Sequence, residues 1–217
     1  MFESGGSSGS ALAAAQKVAS PMKPSVVFVL SLFLLAVVRA QAQGTFVYDQ
    51  ESSSDEVSPF GSVPIQGFGS VGQSFTPSLT AVGFVRLRQF DINPGNSLGA
   101  TLVVNLRANA INGPIIGTAT PVALSDSFVG GVNFFFPSAV PVTSGSTYFL
   151  ETLVQSGDTW GATVLGDTYP NGTIYGGQFP ASGQDLWFRE GIIVPEPSVL
   201  LLCFIGMAAI FLRRRVV

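Results

Sequence analysis

The middle of the chain is predicted to fold as an all-β domain, a single antiparallel sandwich with almost no helix. Between residues 43 and 194, short runs rich in β-branched and aromatic residues alternate with clusters of Gly, Pro, Asn, Asp and Ser. Such clusters at roughly 8–12-residue spacing are typical of sandwiches and barrels. No run in this region keeps a helical spacing of apolar residues for three turns. We therefore expect about eight strands in one domain.

Two runs give the clearest strand patterns. Residues 100–109 and 84–90 alternate apolar and polar side chains, so that each strand has one apolar face. A turn sequence at residues 93–96 lies between them, and we expect the two strands to be neighbours. Three arginines are expected on one outward face, as ion-pair partners or as a patch for an acidic polysaccharide: Arg86, Arg88 and Arg107. The side chains expected to be largely buried are Val85, Leu87, Leu102, Val104, Leu106, Phe135, Tyr148, Leu150 and Trp187.

Residues 22–42 have the three parts of a secretory signal peptide. A basic residue, Lys23, precedes an apolar stretch at residues 26–38. Ala40 and Ala42 then stand at the small-residue positions that precede a cleavage site, so we expect cleavage after Ala42 by signal peptidase.

Two alternatives stay open at this end. Arg39 stands close to the site, which leaves cleavage after Ala40 or an uncleaved N-terminal helix as other outcomes. Residues 1–21 are polar and rich in Gly and Ser, and they are either a long leader or an extension before a true start at Met22. In both cases we expect no role for them in the fold.

The C-terminal residues 195–217 contain three features in order. A helix-breaking strip consists of Pro195, Glu196, Pro197 and Ser198. Residues 199–212 are uninterruptedly apolar, and such a run hides its backbone in lipid only as a helix. A basic cluster closes the segment: Arg213, Arg214 and Arg215. These arginines are expected to stay on the cytoplasmic side, which places the domain outside.

This order of Pro-Glu-Pro, apolar helix and arginine cluster resembles the PEP-CTERM sorting signal of Gram-negative bacteria. The resemblance implies an exosortase-type enzyme that cuts near Pro195, and cargo that is sorted to the cell surface or into an exopolysaccharide matrix. The run is shorter than the roughly 20 apolar residues of a usual span, which suits a transient anchor. The alternative is an ordinary, permanent tail anchor in the inner membrane.

The composition excludes several kinds of chemistry. The chain has no histidine, which excludes Ser-His-Asp and Cys-His catalysis and every histidine-containing metal site. The one cysteine, Cys203, lies in the C-terminal apolar run, so the exported region has no disulfide and no thiol nucleophile. Between residues 43 and 194 there are eleven acidic residues, four arginines and no lysine, which argues against nucleic-acid binding.

Two further segments carry a second resemblance. Residues 73–77, Gln-Ser-Phe-Thr-Pro, and residues 145–150, Gly-Ser-Thr-Tyr-Phe-Leu, are similar to elements of surface β-sandwich domains that are often joined to sorting tails. Those domains are jelly-roll-like and resemble carbohydrate-binding modules. The resemblance implies a jelly-roll-like sandwich here.

Three aromatic residues are the candidates for glycan contact: Trp160, Tyr169 and Tyr175. Acids near them, Asp158 and Asp167, raise the alternative of a carboxylate-based glycosidase or lyase. The competing interpretation places the aromatics in the core and the acids in turns. No catalytic residue and no metal ligand is predicted.

No cofactor is expected, with one alternative. Calcium would be held by loop carboxylates such as Asp49, Glu51, Asp55 and Glu56, although no run in the sequence matches an EF-hand or a repeat-type calcium loop. The whole sequence favours an exported, non-enzymatic structural or adhesive module of a surface or exopolysaccharide layer. A carbohydrate-binding module is the alternative from a different class.

Overall fold

The computed structural model of the protein describes residues 44–53 and 61–194. They belong to one compact unit, Gln43–Pro197. The strands in chain order are β1 (Thr45–Glu51), β2 (Gly61–Pro64), β3 (Val71–Phe75), β4 (Ala81–Asp91), β5 (Ala100–Ala108), β6 (Ile115–Thr118), β7 (Val122–Leu124), β8 (Val129–Pro141), β9 (Tyr148–Gly157), β10 (Trp160–Gly166), β11 (Ile174–Gly176), β12 (Phe179–Ala181), β13 (Gln184–Leu186) and β14 (Phe188–Val194). A 3₁₀ turn at Gln66–Phe68 is the helical element of the described residues.

The strands form two antiparallel sheets of seven strands each. The first sheet has the order β1-β14-β4-β10-β13, with β2 paired to β10 and β8 paired to β4. The second sheet has the order β12-β11-β3-β9-β5-β6, with β7 paired to β5. The all-β prediction is therefore confirmed. The expected strand number was too low because the strands of three or four residues are too short to show alternation in the sequence.

One apolar core joins the inner faces of both sheets. Leu87 of the first sheet and Leu102 of the second belong to the same buried cluster. The prediction of burial is confirmed for Val85, Leu87, Leu102, Val104, Leu106, Leu150 and Trp187. Tyr148 is half-buried.

Burial was wrongly predicted for Phe135. Its side chain is 39% exposed, whereas its neighbours Phe134 and Phe136 are buried. Strand β8 alternates, and Phe134 and Phe136 occupy the inward positions. Phe135 is therefore on the outer face of the first sheet.

The predicted pairing of residues 84–90 with residues 100–109 was also wrong. Strand β4 pairs with β8, β14 and β10, whereas β5 pairs with β9, β6 and β7 in the other sheet. The connecting loop, residues 92–99, crosses between the sheets instead of making a hairpin. Arg86 and Arg88 consequently belong to the first sheet and Arg107 to the second, so the three do not share a face.

Candidate binding cleft

The candidate functional site is a two-part cleft beside two exposed phenylalanines, Phe68 and Phe179. The apolar part has a volume of about 450 Å³ and is lined by strand residues such as Val63, Val164 and Ile174. The polar part has a volume of about 700 Å³ and is lined by Arg107, Asn112, Glu151 and Gln178 among others. Phe68, Gly176 and Phe179 line both parts. These volumes fall within the range of small-molecule sites.

The 3₁₀ turn fixes the position of Phe68. Gln66 in this turn accepts a hydrogen bond from the backbone N–H of Trp160 over 3.0 Å and donates Nε2 to the Asp158 carbonyl over 2.6 Å. The ring of Phe68 lies over Gly176, where an added Cβ would be 2.9 Å from the ring. A side chain at position 176 would displace the ring from this position, and Phe68 remains 52% exposed.

Phe179 is presented by the hairpin between β11 and β12. The two strands pair Gly176 with Phe179, and Gly177 in the turn has φ of 60°, a conformation that favours glycine. The N–H of Gly177 donates to the Ser70 carbonyl over 2.9 Å, which joins the hairpin to the segment that carries Phe68. Phe179 is 79% exposed, the largest value among the exposed large apolar side chains of the described residues.

A hydrogen-bonded chain of polar groups lies on the outer face of the second sheet and ends in the polar part of the cleft. Arg107 Nε donates to Glu151 Oε2 over 2.7 Å, and Asn105 Nδ2 donates to the same oxygen over 3.1 Å. Thr118 Oγ1 donates to Asn105 Oδ1 over 2.9 Å. Arg107 Nη1 also donates to the Gly113 carbonyl over 2.6 Å. The charged pair is thus held in one geometry.

The segment before β6 closes one side of the polar part. Ile111 is buried and packs directly over Gly72 of β3. An added Cβ on Gly72 would overlap Ile111 and lie 2.6 Å from the Leu150 carbonyl oxygen. The contact between Arg107 and Gly113 holds the same segment from its other end.

The three aromatic residues predicted for glycan contact are not in this cleft. Trp160 is fully buried in the core beside Phe128, and Tyr169 is 5% exposed. The Tyr169 hydroxyl donates to Gln50 over 3.0 Å and accepts from the Thr76 N–H over 3.1 Å, so its polar end is used inside the fold. The prediction of sugar stacking is therefore corrected for these two residues. Tyr175 is half-buried and packs edge-on against Phe149 at 5.6 Å.

The two acids considered for hydrolysis, Asp158 and Asp167, lie in loops outside the cleft. Asp158 accepts hydrogen bonds from the side chains of Asn93 and Asn96, which lower the pKa of its carboxyl, most of all through Asn96. Asp167 is exposed. Neither Asp158 nor Asp167 lines the cleft.

Two of the four carboxylates named as possible calcium ligands, Asp49 and Glu51, have partners within the chain. Asp49 accepts from the backbone N–H groups of Ser78 and Leu79 over 2.8 and 2.9 Å. Glu51 pairs with Arg189 at 3.3 Å. Asp55 and Glu56 lie outside the described residues. Within residues 44–53 and 61–194, no group of three or more His, Cys, Asp or Glu side chains is placed to hold a metal ion.

The residues of the predicted sorting and signal segments lie outside the described part of the chain: Ala40, Ala42, Pro195, Glu196, Pro197, Ser198, Arg213, Arg214 and Arg215. In the part that the structure describes, no helix is long and apolar enough to cross a membrane.

Because the comparisons with known proteins found no match, a function for this protein is argued from the cleft alone. No family model matches the chain, and no curated protein matches its sequence.

The residues of the cleft were missed in the sequence because Phe68 and Phe179 are isolated aromatics in glycine-rich segments. One signal in the sequence points to these two residues: each is a large aromatic side chain at a position where neither a strand pattern nor a turn calls for one.

Proposed function

We propose that the protein is an exported, non-enzymatic adhesive module of the cell surface or exopolysaccharide matrix, and that its cleft binds a saccharide chain. The observation that carries this proposal is the pair Phe68 and Phe179, exposed by 52% and 79% beside a polar surface. Large apolar side chains held open beside fixed polar groups are typical of recognition sites.

A saccharide matches the two chemistries of the cleft. A sugar ring has C–H faces that pack on aromatic rings and hydroxyl groups that need hydrogen-bond partners. The phenylalanines supply the aromatic rings. The hydrogen-bond partners are polar side chains that line the cleft: Arg107, Glu151, Asn112 and Gln178. Because Arg107 and Glu151 form an ion pair, their charges offset each other, which favours a neutral saccharide over a strongly acidic one.

The surroundings of Glu151 support binding rather than hydrolysis. Its Oε2 accepts hydrogen bonds from both Arg107 and Asn105 and is thus already engaged within the fold. Glycoside cleavage by carboxylates needs a second carboxyl group across the scissile bond. Glu151 is the carboxylate among the described residues that line the cleft.

The route to the surface is part of the proposal. Signal peptidase would remove residues 22–42, and the apolar run at residues 199–212 would anchor the chain briefly as a transmembrane helix. An exosortase-type enzyme would then cut near Pro195 and release a jelly-roll-like sandwich to the matrix. Permanent anchoring in the inner membrane is the competing outcome. The excess of acids over arginines in the domain supports a partner other than nucleic acid.

A glycan-array screen of the compact unit Gln43–Pro197 tests the proposed ligand class. We expect selective binding to one or a few neutral glycans, unchanged when calcium is removed by a chelator. A folded domain that binds no glycan on the array would contradict the proposal, and binding only with calcium would assign a metal-dependent site instead.

A further inference from the structure

Strand β1 is an edge strand with unusual composition. It pairs with β14 on one side, from Thr45 opposite Val194 to Glu51 opposite Arg189, with a bulge at Asp49, and no described strand pairs with its other side. Its first four residues, Thr45 to Tyr48, are exposed β-formers without charge, Pro or Gly. Natural sheets usually protect such an edge, because its unpaired N–H and C=O groups accept another strand.

The other described edges are protected. Proline interrupts three of them: Pro64 in β2, Pro180 in β12, and Pro137 with Pro141 in β8. Strand β8 is also covered in part, since Thr120 donates its N–H to the Phe135 carbonyl over 2.8 Å. Strands β6, β7 and β13 have only three or four residues. The unprotected part of β1 is therefore Thr45 to Tyr48, the four residues before the bulge at Asp49, and it is a local feature and not a general property of this domain.

The outer face beside this edge carries an exposed aromatic cluster. The rings of Phe46 and Tyr48 are nearly parallel, with centroids 6.5 Å apart, and Phe135 lies 6.0 Å from Phe46. Phe46 and Tyr48 pack edge-on against the fully buried Phe84, with ring centroids 4.8 and 5.6 Å away, and Phe135 is the partner of Phe84 in the β4–β8 pairing. Phe46, Tyr48 and Phe135 are nevertheless 38%, 41% and 39% exposed. This cluster and the open edge together form one continuous apolar surface.

We propose that a second copy of this chain pairs antiparallel with β1 along this edge, with Val47 opposite Val47 of the second copy. The pairing is a two-fold, isologous contact, in which the same strand supplies both sides. It would place Phe46 of each copy opposite Tyr48 of the other copy on the outer face. Aromatic cross-strand pairs of this kind stabilise sheets. The two aromatic clusters would then become one surface across the joint.

The sequence of β1 favours this register over its neighbours. With Val47 at the centre, the regular part of β1 pairs with itself from Phe46 to Tyr48, and Thr45 faces the bulge residue Asp49. No charged residue then faces an apolar one or a like charge. A centre at Tyr48 would place Val47 opposite Asp49 and Thr45 opposite Glu51. A centre at Phe46 would leave Tyr48 opposite Gly44 and lose both aromatic pairs.

The dimer keeps the cleft open. Neither part of the cleft is lined by a residue of β1, so two clefts are carried by one dimer. Two linked sites raise the avidity for a repeating polymer without any new contact in either site. The self-association itself stands on β1 alone and does not depend on what the cleft binds.

Disulfide trapping in the full chain tests the pairing. In a Cys203→Ser background, Val47→Cys would bring two thiols to positions where opposite Cα atoms are about 4.5–5.5 Å apart, within reach of a disulfide. Ile116→Cys on edge strand β6 is the matched control, because Val47 and Ile116 are 39% and 38% exposed. Under a mild oxidant we expect about tenfold more covalent dimer from Val47→Cys than from Ile116→Cys.

Equal cross-linking of the two variants, or none from Val47→Cys, would overturn the proposal. Sedimentation of the unsubstituted compact unit Gln43–Pro197 gives an independent check that needs no cysteine. We expect a concentration-dependent dimer that is lost in Tyr48→Lys. A monomer at every concentration would also overturn the proposal.

Discussion

Arg107 Nε donates to Glu151 Oε2 across 2.7 Å, with 18% and 10% of the two side chains exposed. This ion pair joins β5 to β9 at the polar part of the cleft. Asn105 shares the same carboxylate oxygen, so the pair belongs to a network and not to an isolated surface contact. The network holds the polar groups still, which lowers the entropy cost of binding a ligand there.

Glu151→Gln is expected to destabilise the domain by about 1–3 kcal/mol, because a neutral amide replaces the carboxylate that accepts from Arg107 and Asn105 and leaves the Arg107 charge unpaired in a largely buried place. Glu51→Gln is the matched control. Glu51 pairs with Arg189 at 3.3 Å but is 39% exposed, and such pairs contribute about 0–1 kcal/mol. Urea denaturation of both variants measures the difference. A larger loss for Glu51→Gln would contradict the role given to the network.

Glu190 gives the domain a pH-dependent stability. Its side chain is fully buried, and within the described residues neither carboxylate oxygen has a hydrogen-bond partner. Burial, with the nearby charge of Asp49 adding to it, raises the pKa of Glu190 to about 9. The folded domain therefore keeps a proton that the unfolded chain releases above about pH 4.5, and the free energy of unfolding falls as pH rises toward 9.

Glu190→Gln removes this titration while keeping the size of the side chain. We expect the unsubstituted domain to lose stability between pH 6 and 8.5, with a slope of up to about 1.4 kcal/mol per pH unit, and the variant to lose much less. The chain has no histidine, so few other groups titrate in this window. Denaturation series at several pH values decide the matter, and parallel curves for the two proteins would show that Glu190 is not protonated.

Gly72→Ala is expected to destabilise the domain by about 1–3 kcal/mol, since the new methyl group overlaps Ile111 and lies 2.6 Å from the Leu150 carbonyl oxygen. Gly61→Ala is the control, because nothing lies within 4 Å of a Cβ at that position. Thermal unfolding of the two variants gives the comparison. Should both unfold at the same temperature, the close packing of Ile111 over β3 would be wrong.

The parts of the fold that the sequence predicted correctly are those with clean alternation. Leu102, Val104 and Leu106 face the core from β5 as expected. Strand β10 shows why other assignments failed. Its residues Trp160 to Leu165 are buried on both faces, so alternation gives no direction there, and the sequence left Trp160 open between glycan contact and the core.

The cleft was beyond the reach of the sequence because its parts come from distant segments. Phe68 and Phe179 line one cleft because a hydrogen bond joins Gly177 to Ser70 and the Phe68 ring packs over Gly176. Arg107 and Glu151 are each ordinary polar residues on an outward strand face. Their pairing depends on the β5–β9 register, which loop lengths and local patterns do not specify.

Processing at the two ends is tested by intact mass and terminal peptides of the exported protein. We expect an N-terminus at Gln43, after cleavage at Ala42, and a C-terminus close to Pro195. A surface-located protein that still ends at Val217 would contradict C-terminal processing and favour the permanent anchor.

The most direct test of the cleft as a saccharide site is the affinity of three proteins for the best glycan of the array screen. They are the unsubstituted domain, Phe179→Ala and Leu98→Ala, whose Leu98 is 57% exposed in the loop between β4 and β5, away from the cleft. By calorimetric titration we predict about a tenfold loss of affinity, near 1.4 kcal/mol, for Phe179→Ala and no change for Leu98→Ala. Unchanged affinity in a folded Phe179→Ala domain would contradict the account.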